Sequence, residues 1–240
     1  MKKPSMTADH KWWVIWPLWL IACFISAAVI GVVVAIIAQS MGISLPMSTT
    51  LTLLLANTLI YALMLALLLS LPYAKKWLSW KLLGFGRLVK WSDIGYSVAG
   101  YVIYFIAAAV VINIVAKLVP GFNADQAQDI GFTSVYGLER AAAFIVLVVI
   151  APIVEETIFR GFLFGKLRQH KMPLWPAILV VSVLFGLAHG QWNVGIGTFI
   201  LSIIMCYLRE MTGSIWAGVL VHMINNAVAF LLLFVIQLPR

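Results

Sequence analysis

The chain has 240 residues, of which 63% are hydrophobic and only 10% are charged. A water-soluble domain carries about 25% charged residues, so there is too little charge here to cover a water-facing surface, and soluble, disordered and disulfide-scaffold proteins are excluded. The formal net charge of +8 comes from Lys and Arg in short loops between apolar runs, a pattern that indicates orientation in a membrane and argues against a nucleic-acid partner.

Seven apolar stretches are candidates to cross about 30 Å of hydrocarbon as helices. No stretch shows the regular alternation that the strands of a transmembrane barrel need. The sequence therefore predicts an all-α, polytopic membrane bundle of about seven transmembrane helices. The stretches lie at approximately 12–38, 47–71, 95–118, 140–164, 174–190, 194–209 and 213–236.

Lys and Arg are distributed unevenly among the loops. With the N-terminus inside the cell, twelve of the sixteen lie in cytoplasmic segments, and the outer side holds only Lys117, Arg140 and Arg240. This bias predicts a cytoplasmic N-terminus and an odd number of spans, in the cell membrane. The first stretch is longer than the roughly 7–15 apolar residues of a cleaved signal sequence, so we expect it to remain as an anchor.

The fourth stretch contains ionisable residues that are costly inside a bilayer and that usually face a cavity. Glu156 and Arg160 are four residues apart, so they share a helix face and can pair. Glu155 projects about 100° away and can face a central cavity. Pro152, one turn earlier, leaves a backbone carbonyl without its usual donor and can bend the helix.

Two further stretches carry polar side chains at helical spacing. The fifth ends with Phe185 and His189, and the seventh holds His222 and Asn226, which are four residues apart. Gathering these groups with the carboxylates of the fourth stretch in one wet pocket avoids the cost of burying each in lipid. The sequence therefore predicts an active site in a cavity within the membrane.

The chemistry of this set leaves two alternatives open. A carboxylate and a neutral imidazole can activate a water molecule, while a second imidazole and a carboxamide can donate hydrogen bonds to the resulting oxyanion. Alternatively, Glu155, His189 and His222 could bind a divalent metal such as zinc and leave one position for water.

The three motifs Glu155-Glu156-x-x-x-Arg160, Phe185-x-x-x-His189 and His222-x-x-x-Asn226 resemble those of the CPBP family of intramembrane proteases (CAAX-processing and bacteriocin-processing proteins, also called the Abi family). The resemblance covers about residues 140–230.

This resemblance implies an endopeptidase in which Glu155 is the base for the water with His189 as its partner. It also implies that His222 and Asn226 stabilise the oxyanion and that Arg160 anchors Glu156. Both glutamate-dependent and metal-dependent versions fit the family. The implied substrate is a membrane-bound protein or peptide, and a prenylated CAAX protein, a leader peptide and an unrelated membrane peptide remain open as alternatives. The lipid bilayer is the other expected partner.

The expected organisation is a single structural domain. Residues 1–139 form N-terminal transmembrane helices with an interfacial segment at 72–94, where Lys and Arg alternate with Trp and Leu, and residues 140–240 form the catalytic core. Two other functions remain as alternatives: a non-catalytic membrane scaffold or immunity protein of the same fold, and a proton-coupled transporter. The absence of an internal repeat in the sequence argues against the transporter.

Overall fold

The computed structural model describes residues 12–42, 48–74, 79–124, 126, 128, 132 and 134–236. Within these ranges it contains seven helices and no strand, so the all-helical prediction is confirmed. The helices are α1 (Trp12–Ser40), α2 (Thr49–Ala74), α3 (Trp91–Leu118), α4 (Gly137–Gln169), α5 (Leu174–Leu187), α6 (Trp192–Thr212) and α7 (Trp216–Val235).

Five of these helices, α2, α3, α4, α6 and α7, are long and apolar enough to cross a membrane. Helix α5 has only 14 residues, and the apolar run recognised within α1 covers Ile21–Val34. The chain is therefore a polytopic helical membrane protein, and the number of about seven crossings stays a prediction. So does its orientation, which rests partly on residues outside the described ranges: Lys2, Lys3, Lys11, Lys75, Lys76 and Arg240.

Several helices begin or end at other residues than the predicted apolar stretches do. Hydropathy predicts α4 over 140–164, whereas the helix runs over Gly137–Gln169. The predicted stretch ends early because the last turn carries Lys166 and Arg168, which hydropathy alone places outside the span. Helix α5 was expected to end near residue 190 and ends at Leu187. Gly190 has a positive φ of 67° and lies in the turn that follows.

The chain forms two compact units, residues 1–78 and 79–240. In the first unit α1 and α2 pack against each other. A Cβ added at Gly31 would lie 3.2 Å from Ile60, and the indole N–H of Trp19 donates to the carbonyl of Leu68 at 3.4 Å. The proposed division at residue 139, which separates anchor helices from a catalytic core, stays a prediction.

The second unit holds α3 to α7. Helix α6 contacts the four others, and α7 contacts α3, α4 and α6. Helix α4 is the most enclosed, since 56% of its apolar window is buried against 11–33% in the other candidate spans. Its backbone widens into π-type turns over Ile145–Ile150 and Thr157–Phe164. Such turns are common near functional sites.

Hydrogen bonds to backbone carbonyl groups hold the segment 79–90 against the helices of the second unit. The carbonyl groups of Leu82, Gly84 and Arg87 each accept a hydrogen bond of 2.9 Å, from Arg209, Ser214 and Trp216 respectively. Two glycines of α4 allow the close approach, because a Cβ at Gly161 would lie 2.7 Å from the Leu83 carbonyl oxygen and one at Gly165 would lie 2.9 Å from that of Leu82.

Only part of the predicted interfacial segment 72–94 can be compared with the structure, because residues 75–78 lie outside the described ranges. In the described part, residues 72–74 end α2, residues 79–90 form turns and irregular backbone, and residues 91–94 begin α3. Leu83 is buried, while Trp80 and Leu88 are 70% and 83% exposed. These exposed apolar side chains suit a membrane interface, although the interfacial position itself stays a prediction.

An ion pair joins this segment to the first turn of α3. The guanidinium of Arg87 donates two hydrogen bonds to the buried carboxylate of Asp93, at 2.6 and 2.7 Å. These hydrogen bonds raise the pKa of Arg87. The same carboxylate accepts the backbone N–H of Lys90 at 2.8 Å and so caps the helix.

We predict that Gly161→Ala destabilises the protein, because the new methyl group would collide with backbone of the segment 79–90 that cannot rotate away. The expected cost is about 1–3 kcal/mol, as for other overpacked sites. The measurement is thermal unfolding of the purified protein in detergent.

The matched control is Gly95→Ala in α3, where nothing lies within 4 Å of the added Cβ. That substitution is expected to be neutral or to stabilise by up to about 1 kcal/mol. Equal effects of the two substitutions would contradict the proposed close approach.

Candidate active site

Glu156 lies at the centre of a polar cluster between α4 and α7. Its side chain is fully buried. Its Oε1 atom accepts a hydrogen bond of 2.8 Å from Nη1 of Arg160 and one of 3.1 Å from Nδ1 of His222. The pairing with Arg160 is the one that the i,i+4 spacing predicts. The contact with His222, which joins two of the sequence motifs, was not predicted.

The ring of Phe185 holds several of the site residues together. It is 1% exposed, and the guanidinium carbon of Arg160 lies 4.3 Å from its centroid. The other rings around it are those of Phe159 at 4.9 Å, His189 at 5.0 Å and His222 at 5.7 Å, all in edge-to-face geometry. Phe185 thus packs against both imidazoles, and its ring face attracts the buried cation.

His189 follows the last turn of α5 and is half-buried. Its Nδ1 atom lies 2.8 Å from the carbonyl oxygen of Phe185. A carbonyl oxygen can only accept, so we infer that Nδ1 carries the hydrogen and that in the neutral ring Nε2 is an acceptor. The carboxylate of Glu156 fixes the tautomer of His222 in the same way. Both rings therefore have Nε2 left for chemistry.

Glu155 faces a different direction from its neighbour. Its Oε2 atom lies 3.8 Å from Nε2 of His222, and its side chain is 19% exposed. That distance is too long for a direct hydrogen bond but short enough for electrostatic interaction. A partly exposed carboxylate therefore sits beside a buried imidazole. His189 is joined to the same group of residues through the ring of Phe185.

Asn226 lies one turn beyond His222 on α7. Its Nδ2 atom donates to the carbonyl oxygen of Leu147 on α4 at 2.9 Å, and its Oδ1 atom accepts from Nδ2 of Asn225 at 3.3 Å. The amide is therefore held in the site by backbone of a second helix. Sequence reasoning gave it only a role toward substrate.

Gly218 is a site residue that sequence reasoning missed. A Cβ at this position would lie 3.0 Å from Oε2 of Glu156, an atom with no hydrogen-bond partner among the residues that the structure describes. Gly218, His222 and Asn226 are spaced by four and line one face of α7. The signal in the sequence is a helical glycine four residues before a motif histidine.

The described side chains offer no three-residue metal site. Among these residues, no three His, Cys, Asp or Glu side chains lie close enough together to hold an ion. The set proposed for zinc, Glu155, His189 and His222, is therefore not assembled as a ligand group. The metal-dependent alternative stays a prediction.

Residues 137–228 match the sequence profile of the family described as "Type II CAAX prenyl endopeptidase Rce1-like". This range contains all three motifs and the whole cluster around Glu156. The match confirms the resemblance to the CPBP family over this part of the chain.

Two curated proteins are similar to the chain. The Bacillus subtilis (strain 168) protein named "Putative membrane peptidase YdiL" is 32% identical over 82 residues, which are 34% of this chain and 33% of that protein. An Escherichia coli protein named "Uncharacterized 24.3 kDa protein" is 32% identical over 79 residues, which are 31% of this chain and 36% of that protein. The chain thus spans about a third of the length of these relatives. No solved structure matches it.

We predict that Glu156→Gln strongly destabilises the protein, because it leaves the guanidinium of Arg160 buried without a counter-charge. Breaking a buried ion pair on one side costs about 3–5 kcal/mol. The double variant Glu156→Gln/Arg160→Met is expected to recover most of that loss. The measurement is the free energy of unfolding in detergent.

The control is Glu210→Gln, which breaks the exposed pair of Arg168 and Glu210. A loss of less than about 1 kcal/mol is expected there. If Arg160→Met restored no stability in the Glu156→Gln background, charge burial would not be the cause.

Proposed function

We propose that the chain is an intramembrane endopeptidase that hydrolyses a peptide bond of a membrane-associated protein or peptide. The observation that carries this proposal is the partly exposed carboxylate of Glu155, 3.8 Å from the imidazole of His222. The match of residues 137–228 to a family of endopeptidases supports it. The family match suggests the reaction, and the side chains suggest how it proceeds.

Glu155 is the proposed base for the attacking water, with His189 as its partner. Water reaches Glu155 because its side chain is partly exposed, whereas its neighbour Glu156 is sealed in the protein. Glu155 takes a proton from the water, and the oxygen attacks the carbonyl carbon of the peptide bond. The C–N bond then breaks as Glu155 passes the same proton to the nitrogen of the leaving amine. The Nε2 atom of His189, left as an acceptor by the hydrogen bond at Nδ1, can hold the water in place.

His222 and Asn226 are the proposed donors to the oxyanion. Glu156 holds the His222 ring by its Nδ1–H, so Nε2 is aimed at a fixed point. Nε2 donates to the oxyanion in the imidazolium form of the ring, in which both nitrogens carry a hydrogen. One amide hydrogen of Asn226 is used by Leu147, which leaves the second for the substrate. Arg160 neutralises Glu156, so that the carboxylate orients His222 without adding net charge to the cavity.

We propose the glutamate-dependent version of the reaction, because the described side chains offer no three-residue ligand set. The proposed substrate is either a prenylated protein or a leader peptide, as the family resemblance implies. The proposed setting is the cell membrane with the N-terminus in the cytoplasm, which the distribution of Lys and Arg supports.

We predict that Glu155→Gln lowers cleavage at least about 100-fold, since it removes the base while keeping the shape of the side chain. The assay uses wild-type protein in lipid vesicles with a panel of membrane peptides, including farnesylated CAAX-type peptides and leader peptides. Glu139→Gln, at the start of the same helix α4, is the control and should cleave like the wild type.

Equal cleavage by wild type and Glu155→Gln would contradict the assigned base. A wild-type protein that folds but cleaves no peptide of the panel would favour the non-catalytic scaffold.

We further predict that chelation leaves cleavage unchanged. The purified protein is dialysed against EDTA and 1,10-phenanthroline, and its zinc content and cleavage rate are measured together. Loss of cleavage that added zinc restores would instead establish metal dependence.

A further inference from the structure

The backbone of α4 has a gap in its hydrogen bonding just before the motif carboxylates. The N–H of Ala151 donates to the carbonyl of Val146, five residues back, in a wide π-type turn. The next N–H in that register would belong to residue 152 and would reach the carbonyl of Leu147. Residue 152 is proline, which has no N–H. The Leu147 carbonyl therefore loses the backbone donor that any other residue at 152 would provide.

Asn226 supplies the missing donor. Its Nδ2 atom lies 2.9 Å from the carbonyl oxygen of Leu147. The amide of Asn225 donates to its Oδ1 atom at 3.3 Å and so favours the orientation in which Nδ2 faces α4. In a membrane, a carbonyl freed by proline has to find such a partner, because lipid offers none.

This is the second hydrogen bond that joins α4 to α7 near the motif residues. The first joins Glu156 to His222 through their side chains at 3.1 Å. The second joins Asn226 to backbone, eight residues before Glu155. The first hydrogen bond orients the imidazole, and the second fixes the helix that carries the carboxylates.

We propose that Asn226 is a positioning residue, which replaces the backbone donor that Pro152 lacks and thereby sets Glu155 against His222. The hydrogen bond between Asn226 and Leu147 exists independently of the reaction, whereas its effect on cleavage rests on the proposed function. The positioning role adds to the proposed role toward the oxyanion, and one experiment can separate the two. A backbone N–H at residue 152 can replace the amide of Asn226 toward Leu147, but it cannot replace the amide toward a substrate.

The experiment is a double-mutant cycle with Asn226→Ala, Pro152→Ala and the two together. Thermal unfolding is measured in detergent, and cleavage is measured in vesicles with the peptide panel. Asn226→Ala alone is expected to lower Tm by roughly 3–8 °C and to lower cleavage at least about tenfold. In the Pro152→Ala background, the Tm loss should fall to less than half. Cleavage should rise severalfold above that of Asn226→Ala alone without reaching the wild-type rate, because the amide donor to the oxyanion stays absent.

The matched control is Asn113→Ala in α3. Asn113 also donates its amide to a helix carbonyl, that of Ala109 at 2.7 Å, but within its own helix. Its effect on Tm should be the same with Pro152 or Ala at residue 152. If Asn226→Ala does not yield folded protein, Asn226→Leu, which keeps the volume and lacks the donor, takes its place.

Two results would overturn the proposal. Equal Tm losses from Asn226→Ala in both backgrounds would show that Pro152 and Asn226 are not coupled. Coupling in Tm without any rise of cleavage in the double variant would show that the hydrogen bond to Leu147 does not position Glu155. A wild-type protein without cleavage would refute the proposed function alone, since the double-mutant cycle read by Tm still decides whether Pro152 and Asn226 are coupled.

Discussion

The second unit is organised around a single carboxylate that has no contact with water. Burying the charge of Glu156 among apolar helices is costly unless cations and hydrogen-bond donors surround it. Arg160 from the same helix and His222 from α7 meet that need. Arg160 is itself fully buried, and the ring of Phe185 on α5 covers its guanidinium. One charge therefore dictates neighbours on three helices, while the adjacent Glu155 remains partly exposed.

Helix α4 is both the most enclosed span and the one with the least regular backbone. Irregular backbone at membrane depth persists only where other groups of the protein satisfy it. Asn226 does so for Leu147. The hydroxyl of Thr157 adds a second hydrogen bond, of 2.7 Å, to the carbonyl of Ile153, which also accepts the backbone N–H of Thr157. The departures from regular helix thus lie on both sides of the two glutamates, and neighbouring side chains stabilise the backbone there.

Helical periodicity made part of this arrangement predictable. The spacing of four residues placed Glu156 beside Arg160, and apolar length gave the helical class and most of the spans. The contacts of Phe185 were not predictable, because an apolar residue in an apolar stretch is most simply read as packing. Its partners lie on α4, on α7 and just past the end of its own helix α5. The carbonyl contacts of the segment 79–90 were equally hidden, since they join residues about 130 positions apart and use backbone atoms that every residue possesses. Gly218 was not predicted as a site residue, because it contributes only the absence of a side chain beside Glu156.

The shortness of α5 has a consequence for the surrounding lipid. Its 14 residues extend about 21 Å, roughly 9 Å less than the hydrocarbon layer that a spanning helix has to match. Exposed indoles stand near both ends, Trp175 at 60% and Trp192 at 81% exposed, and indoles prefer the boundary with the headgroups. A bilayer crossed by α5 would have to thin beside it. His189, just past the end of this helix, would then lie near a local dip of the headgroup layer, with a shorter path to bulk water than a full-length span would allow.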